Sequence, residues 1–175
     1  MSELATTIQP FTTTKVLDST TETMWSALAV LLLTTVHHVY GAYIYNTPWR
    51  YHVAIVSTVT AVILFASLRV LRRRTAGVIG KIAFWTFAVV TLAIPVIAIG
   101  IFEGGYNHAV KDVLYFTGAS PELMQRLFPP PTYEMPNDAF FEITGVLQLV
   151  PAVMAGWYLI GAVQAHLRSL RYASE

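Results

Sequence analysis

The chain has 175 residues, 55% of them hydrophobic and only 12% charged, with 11 Lys and Arg against 10 Asp and Glu. Soluble domains carry about 25% charge, so a mean hydropathy of +0.55 excludes disorder and an ordinary soluble domain and predicts an integral membrane protein. The absence of cysteine excludes a disulfide scaffold, thiolate metal sites, Cys-x-x-Cys redox chemistry and a cysteine nucleophile.

Crossing a bilayer takes about 20 mostly apolar residues, because the backbone polar groups must bond within the segment where no water reaches them. Four stretches qualify, 24–45, 51–71, 82–102 and 140–163. They predict an all-α, integral membrane four-helix bundle, with 1–175 forming one transmembrane domain. The segment 1–21 is Thr-rich and carries only Lys15 as a base, which is not the layout of a cleaved secretion signal. Asp18 or Ser19 is placed to cap the first helix, and Glu22 three residues after Ser19 completes a capping-box pattern.

Asn46, Thr47 and Pro48 force a tight turn, which makes the first two helices antiparallel neighbours. Pro95 and Pro151 fall inside the third and fourth spans, where a missing N–H bends the axis. The long connection is 103–137. Within it, 108–116 is expected to form an interfacial helix, and Ser120, Pro121 and Glu122 read as N-cap, first-turn proline and first-turn acid of a short helix ending near Phe128. Pro129, Pro130 and Pro131 stiffen the return. This structured outer loop is expected either to cap the bundle or to lie on the headgroups.

Orientation follows from the basic residues, which concentrate in short cytoplasmic loops. Lys15, Arg69, Arg72, Arg73, Arg74, Lys81, Arg168 and Arg171 fall on one side, and only Arg50, Lys111 and Arg126 on the other. Both termini are therefore expected to be cytoplasmic, with the loops at 46–50 and 103–137 outside and the cell (inner) membrane as the location. Arg72, Arg73 and Arg74 read as topology determinants, with anionic lipid contact as a secondary role.

The ionisable residues gather on the opposite side. His37, His38, His52 and His108 and the acids Glu103, Asp112, Glu122, Glu134, Asp138 and Glu142 fall in the outer half or outer loop. His37 and His38 precede Tyr45 by eight and seven residues, hence lie about 10 to 12 Å below the outer helix end. Ionisable groups at that depth face the bundle and find partners. Glu142 lies early in the fourth span, Glu103 at the end of the third and His52 at the start of the second, so every helix offers an imidazole or carboxylate at one level. Adjacent helical residues point about 100° apart, so His37 and His38 divide between ligand and supporting roles or serve two sites. Asp138 and Glu142, at i and i+4, share a face, as do Glu103 and Asn107 if the helix runs through Gly104 and Gly105. If it breaks there, His108 folds back over the site.

Imidazoles and carboxylates on facing helices suit a transition metal, and the candidate ligands are His37, His38, His52, Glu103, His108, Asp138 and Glu142. Gln148 is placed to bond a site residue, Thr144 to bond its own helix, and Tyr40, Tyr43 and Tyr45 bracket the level as belt residues. The functional expectation is a membrane metal-binding protein, a metalloenzyme or metal-bearing subunit with oxidoreductase chemistry preferred. Iron or copper is the expected metal, with zinc a further candidate, and the substrate is small or lipophilic. The alternatives are a metal-free acid/base isomerase or proton-coupled transport component, an accessory subunit of a larger homo- or hetero-oligomeric complex, and haem ligation by two of the histidines. No nucleotide-binding glycine loop and no nucleic-acid signature is present.

Overall fold

The computed structural model describes the backbone of 2–74, 77–130 and 132–172 and the side chains of 14–74, 77–130 and 132–171. The described residues form helices and turns without a strand. α1 (Ser2–Ile44) leads through a 3-10 turn (Pro48–Tyr51) to α2 (His52–Arg73). α3 (Gly77–Thr91) runs on through a π-helical segment (Leu92–Val110) into α4 (Lys111–Phe116). α5 (Pro121–Leu127), α6 (Ala139–Leu147) and α7 (Leu149–Tyr172) complete the chain. Four helical stretches, Thr14–Ile44, Pro48–Arg73, Gly77–Phe116 and Ala139–Arg171, are long and apolar enough to cross a membrane.

α1 starts far upstream of residue 24, so Asp18 and Ser19 lie within the helix and the expected capping box is not used. Around residue 20 the threonine hydroxyls are satisfied within the helix by bonding the preceding turn. Thr20 donates to the Val16 carbonyl at 2.9 Å, Thr21 to Leu17 at 2.6 Å and Thr23 to Ser19 at 2.7 Å. Asn46 takes a left-handed φ of 50° to close the hairpin, a conformation that asparagine tolerates.

The third span also exceeds its expected end at residue 102, and the interfacial helix expected at 108–116 is its continuation. Pro95 lies inside the π-helical ladder, where i→i+5 bonding replaces the α pattern. Gly100 and Gly104 bring this backbone against α6 and α7. A Cβ on Gly100 would stand 2.1 Å from the Ala152 Cβ, and one on Gly104 would stand 3.0 Å from the Leu149 amide nitrogen. Pro151 falls in the first turn of α7, just after the interruption at Gln148 that separates α7 from α6, where its missing N–H is tolerated. α5 forms as expected, with the Ser120 hydroxyl accepting from the Leu123 amide at 3.3 Å.

α1 packs against α7, α2 and α6, and the π segment packs against α6 and α7. Near the chain termini Val16, Phe84, Ala162 and Ala165 form one apolar cluster. Met24, Val30, Leu64, Phe87 and Ala152 form a second. The outward faces are apolar as well. Trp25, Leu32, Ile55, Val62 and Trp157 are each more than 60% exposed, a surface that lipid can cover and water would not tolerate. The polar side chains turn inward near the hairpin end, beyond the second apolar cluster.

Candidate metal centre

Three histidines and two glutamates meet where α1, the π segment and α6 approach one another. His37, His38, His108 and Glu142 are buried, and Glu103 is half-buried. The donor atoms of His37, Glu103 and His108 lie within 4.8 Å of one another. The π ladder is what joins the last two. Five α-helical residues would turn the side chains of Glu103 and His108 about 140° apart, and the wider turn of an i→i+5 ladder brings them nearer one face. Glu103 and His108 thus both reach the converging donor set, and the Asn107 Oδ1 is buried without a hydrogen-bond partner.

The hydrogen bonds assign the protons. The Thr144 hydroxyl donates to the Phe140 carbonyl at 2.7 Å, so its oxygen accepts from His37 Nδ1 at 3.1 Å. His38 Nδ1 lies 2.9 Å from the Thr34 carbonyl, which can only accept. His108 Nδ1 donates to Glu142 Oε2 at 2.6 Å. All three rings thus carry their proton on Nδ1 and keep a lone pair on Nε2, the arrangement in which supporting acceptors fix a metal-ligating histidine. The His37 and His38 Nε2 atoms lie 3.6 and 3.2 Å from the same Glu103 oxygen. Two nitrogen lone pairs and a carboxylate oxygen repel at that spacing unless a proton or a cation sits among them.

Two of the neighbouring acids already have cations. Lys111 Nζ donates to Glu142 Oε1 at 3.1 Å and to the Glu134 carbonyl at 2.7 Å, and the Arg50 guanidinium lies 3.6 Å from the Glu134 carboxylate. Among the described residues Glu103 has only imidazoles as ion-pair partners within 4 Å, with the Arg50 charge acting on it from farther off. Lys111 is 2% exposed, so removing it strands the Glu142 charge. Lys111→Ala is expected to destabilise the fold by about 3–5 kcal/mol, read as a lower Tm in detergent, while exposed Arg126→Ala stays within about 0.5 kcal/mol.

Packing holds the rings in place. His37 stacks on Phe141 with centroids 4.0 Å apart and meets the His108 ring edge-on at 4.6 Å. The His108 ring occupies the space over Gly145, where a Cβ would come within 2.3 Å of its Cγ. Phe141 itself lies over Gly41, whose Cβ would meet the ring at 2.5 Å. Gln148 is fully buried and interacts with Glu103, yet neither of its carboxamide atoms has a partner at close hydrogen-bonding geometry.

Two of the sequence-derived candidates have other roles. His52 is exposed, and its Nδ1 lies 2.5 Å from the Trp49 carbonyl. Asp138 caps α6 by accepting from the Phe141 amide at 2.8 Å, and it also accepts from the Tyr40 hydroxyl at 3.1 Å. Glu142 stands behind His108 rather than in the triad of converging donors. Phe141 escaped the sequence reading because an apolar residue within an apolar span carries no distinguishing signal. The return from α5 is tied down close by, where the Tyr45 hydroxyl donates to Asn137 Oδ1 at 2.6 Å.

Comparison with protein-family models, curated proteins and solved structures returned no match to this chain.

Proposed function

We propose that this chain is a multi-pass membrane metalloprotein whose His37, Glu103 and His108, with His38 alongside, hold one transition-metal ion. The observation that carries the reading is the convergence of two Nε2 lone pairs on one Glu103 oxygen. A single proton relieves one of those contacts, whereas a metal ion relieves both and draws in His108. Nitrogen and oxygen donors favour iron, copper or zinc, and a set of three or four protein ligands leaves a position for water or substrate. Iron or copper there would supply oxidoreductase chemistry, the class we prefer.

A cavity of about 510 Å³ supports a small or lipophilic substrate. Asp112, Phe116, Asp138, Glu142 and Ile143 contribute to its lining, so it reaches the carboxylate that holds His108 while its apolar wall faces the surroundings of the helices. The Lys and Arg distribution supports placing this site near the non-cytoplasmic face of the cell membrane. Elemental analysis of the full-length protein purified in detergent tests the proposal. About one iron, copper or zinc ion per chain is expected, removed by a strong chelator and restored by reloading. A preparation that holds none of the three metals and binds none on titration overturns it.

One observation favours a second reading. The hydrogen-bonded pair His108 and Glu142 joins the cluster to the cavity wall, where Glu142 is a lining residue, and suits proton transfer without metal. Activity that survives complete chelation distinguishes that reading from the first.

A further inference from the structure

At the opposite end of the bundle α1 and α2 enclose a groove of about 630 Å³. Met24 and Leu68, both buried, are among its lining residues, as are the exposed Val62, Phe65 and Trp25. At its head stand Thr21, Arg69, Arg72 and Arg73. We propose that this groove is a binding site for one anionic phospholipid, with the phosphate on the arginines and an acyl chain along the apolar stripe.

The sequence of α2 makes the face change character along its length. Val62, Phe65, Ala66, Arg69, Arg72 and Arg73 recur at three- and four-residue spacing, so they share one side of the helix. Eleven residues separate Val62 from Arg73, a rise of about 16 Å, over which the surface passes from apolar to cationic. An amphiphile with an anionic head and a hydrocarbon tail matches that order. A free anion matches only its last turn, and an apolar molecule only the first.

The arginines are available to such a head group. Among the described residues none of the three forms an ion pair with a carboxylate within 4 Å. Asp18 and Glu22, the acids nearest in sequence to Thr21, are exposed and do not line the groove. Arg72 is pre-positioned, since its Nη2 donates to the Thr21 hydroxyl at 3.1 Å while that hydroxyl donates to the Leu17 carbonyl. Bidentate guanidinium groups suit phosphate oxygens, and basic pockets between membrane helices are established sites for anionic head groups. Trp25 at the groove wall has the amphipathic character that favours the headgroup level.

Native mass spectrometry of the full-length protein in detergent tests the site, with dioleoyl phosphatidylglycerol, dioleoyl phosphatidylcholine and inorganic phosphate as probes. The wild type is expected to retain one phosphatidylglycerol and to bind phosphatidylcholine far more weakly, with millimolar phosphate failing to displace the lipid. Each arginine near an anionic lipid contributes roughly fivefold in affinity. The combined Arg69→Gln, Arg72→Gln and Arg73→Gln variant should therefore lose about a hundredfold. Ala66→Trp keeps every charge and fills the groove, and it too is expected to lose the lipid, while Arg74→Gln, outside the groove lining, retains it. Equal retention of the two lipids, retention by Ala66→Trp, or displacement by phosphate overturns the proposal, the last by identifying a free-anion site. The readout does not depend on metal content, so it stands or falls separately from the metal centre.

Discussion

His37→Ala is expected to abolish stable metal retention, lowering affinity by at least about a hundredfold, the upper range for loss of an outer-shell partner alone. His37 contributes a buried Nε2 to the cluster, 3.6 Å from Glu103, and no other described side chain takes its place between Glu103 and His108. The substitution also removes the ring stacked on Phe141, so some loss of stability accompanies the loss of metal. Thr144→Val separates the two effects. It keeps the volume and removes one oxygen that accepts from His37 Nδ1 while the Phe141 backbone bond to the ring remains, which loosens the hold on the tautomer and should lower affinity by about 10-fold. His52→Ala, at an exposed position, is expected to retain wild-type metal. Metal per chain after dialysis against a weak chelator checks all three, and full retention by His37→Ala would remove this residue from the centre.

Gly145→Ala should be nearly as damaging although it touches no donor chemistry. The added methyl would stand 2.3 to 2.5 Å from three atoms of the His108 ring, well inside van der Waals contact, and the ring has little freedom to retreat. It is held by Glu142 at 2.6 Å and stands edge-on to His37 and Phe141. Overpacking of this kind typically costs about 1–3 kcal/mol, and the displaced imidazole should carry the metal affinity down with it. Gly161→Ala provides the comparison, because a Cβ there meets its nearest atom, the Ser19 Oγ, at 3.7 Å, an ordinary contact. The expected pattern is loss of metal and a lower Tm in Gly145→Ala with neither change in Gly161→Ala. Wild-type metal retention in Gly145→Ala would show that the His108 position is not required.

How far the site was legible in the sequence depends on the range of the interactions that build it. The gathering of imidazoles and carboxylates at one level follows from counting along apolar stretches, since depth in a span is proportional to residue number. His37, His38, Glu103, His108 and Glu142 are all found near that level because an ionisable side chain within an apolar run has nowhere else to go. What each does there was not legible. Asp138 and Glu142 share a helical face by spacing, yet the structure uses Asp138 as a cap and Glu142 as the acceptor behind His108, a division set by which neighbours reach them. The α1 boundary also escaped, because threonine has a low intrinsic helix propensity that carries no sign of the continuation seen in the structure.

The sequence alone determined that the chain is helical, that four stretches are apolar enough to span a membrane, and that polar chemistry collects at one end, because hydropathy and helical periodicity are local properties. Only the tertiary structure decided that Glu103 and His108 converge with His37. That choice depends on a ladder whose bonding reaches five residues instead of four, on glycines that let the π segment lie against α6 and α7, and on three Nδ1 acceptors brought from other turns and other helices. Such contacts join residues as far apart as His37 and Thr144, and no pattern within one segment encodes them.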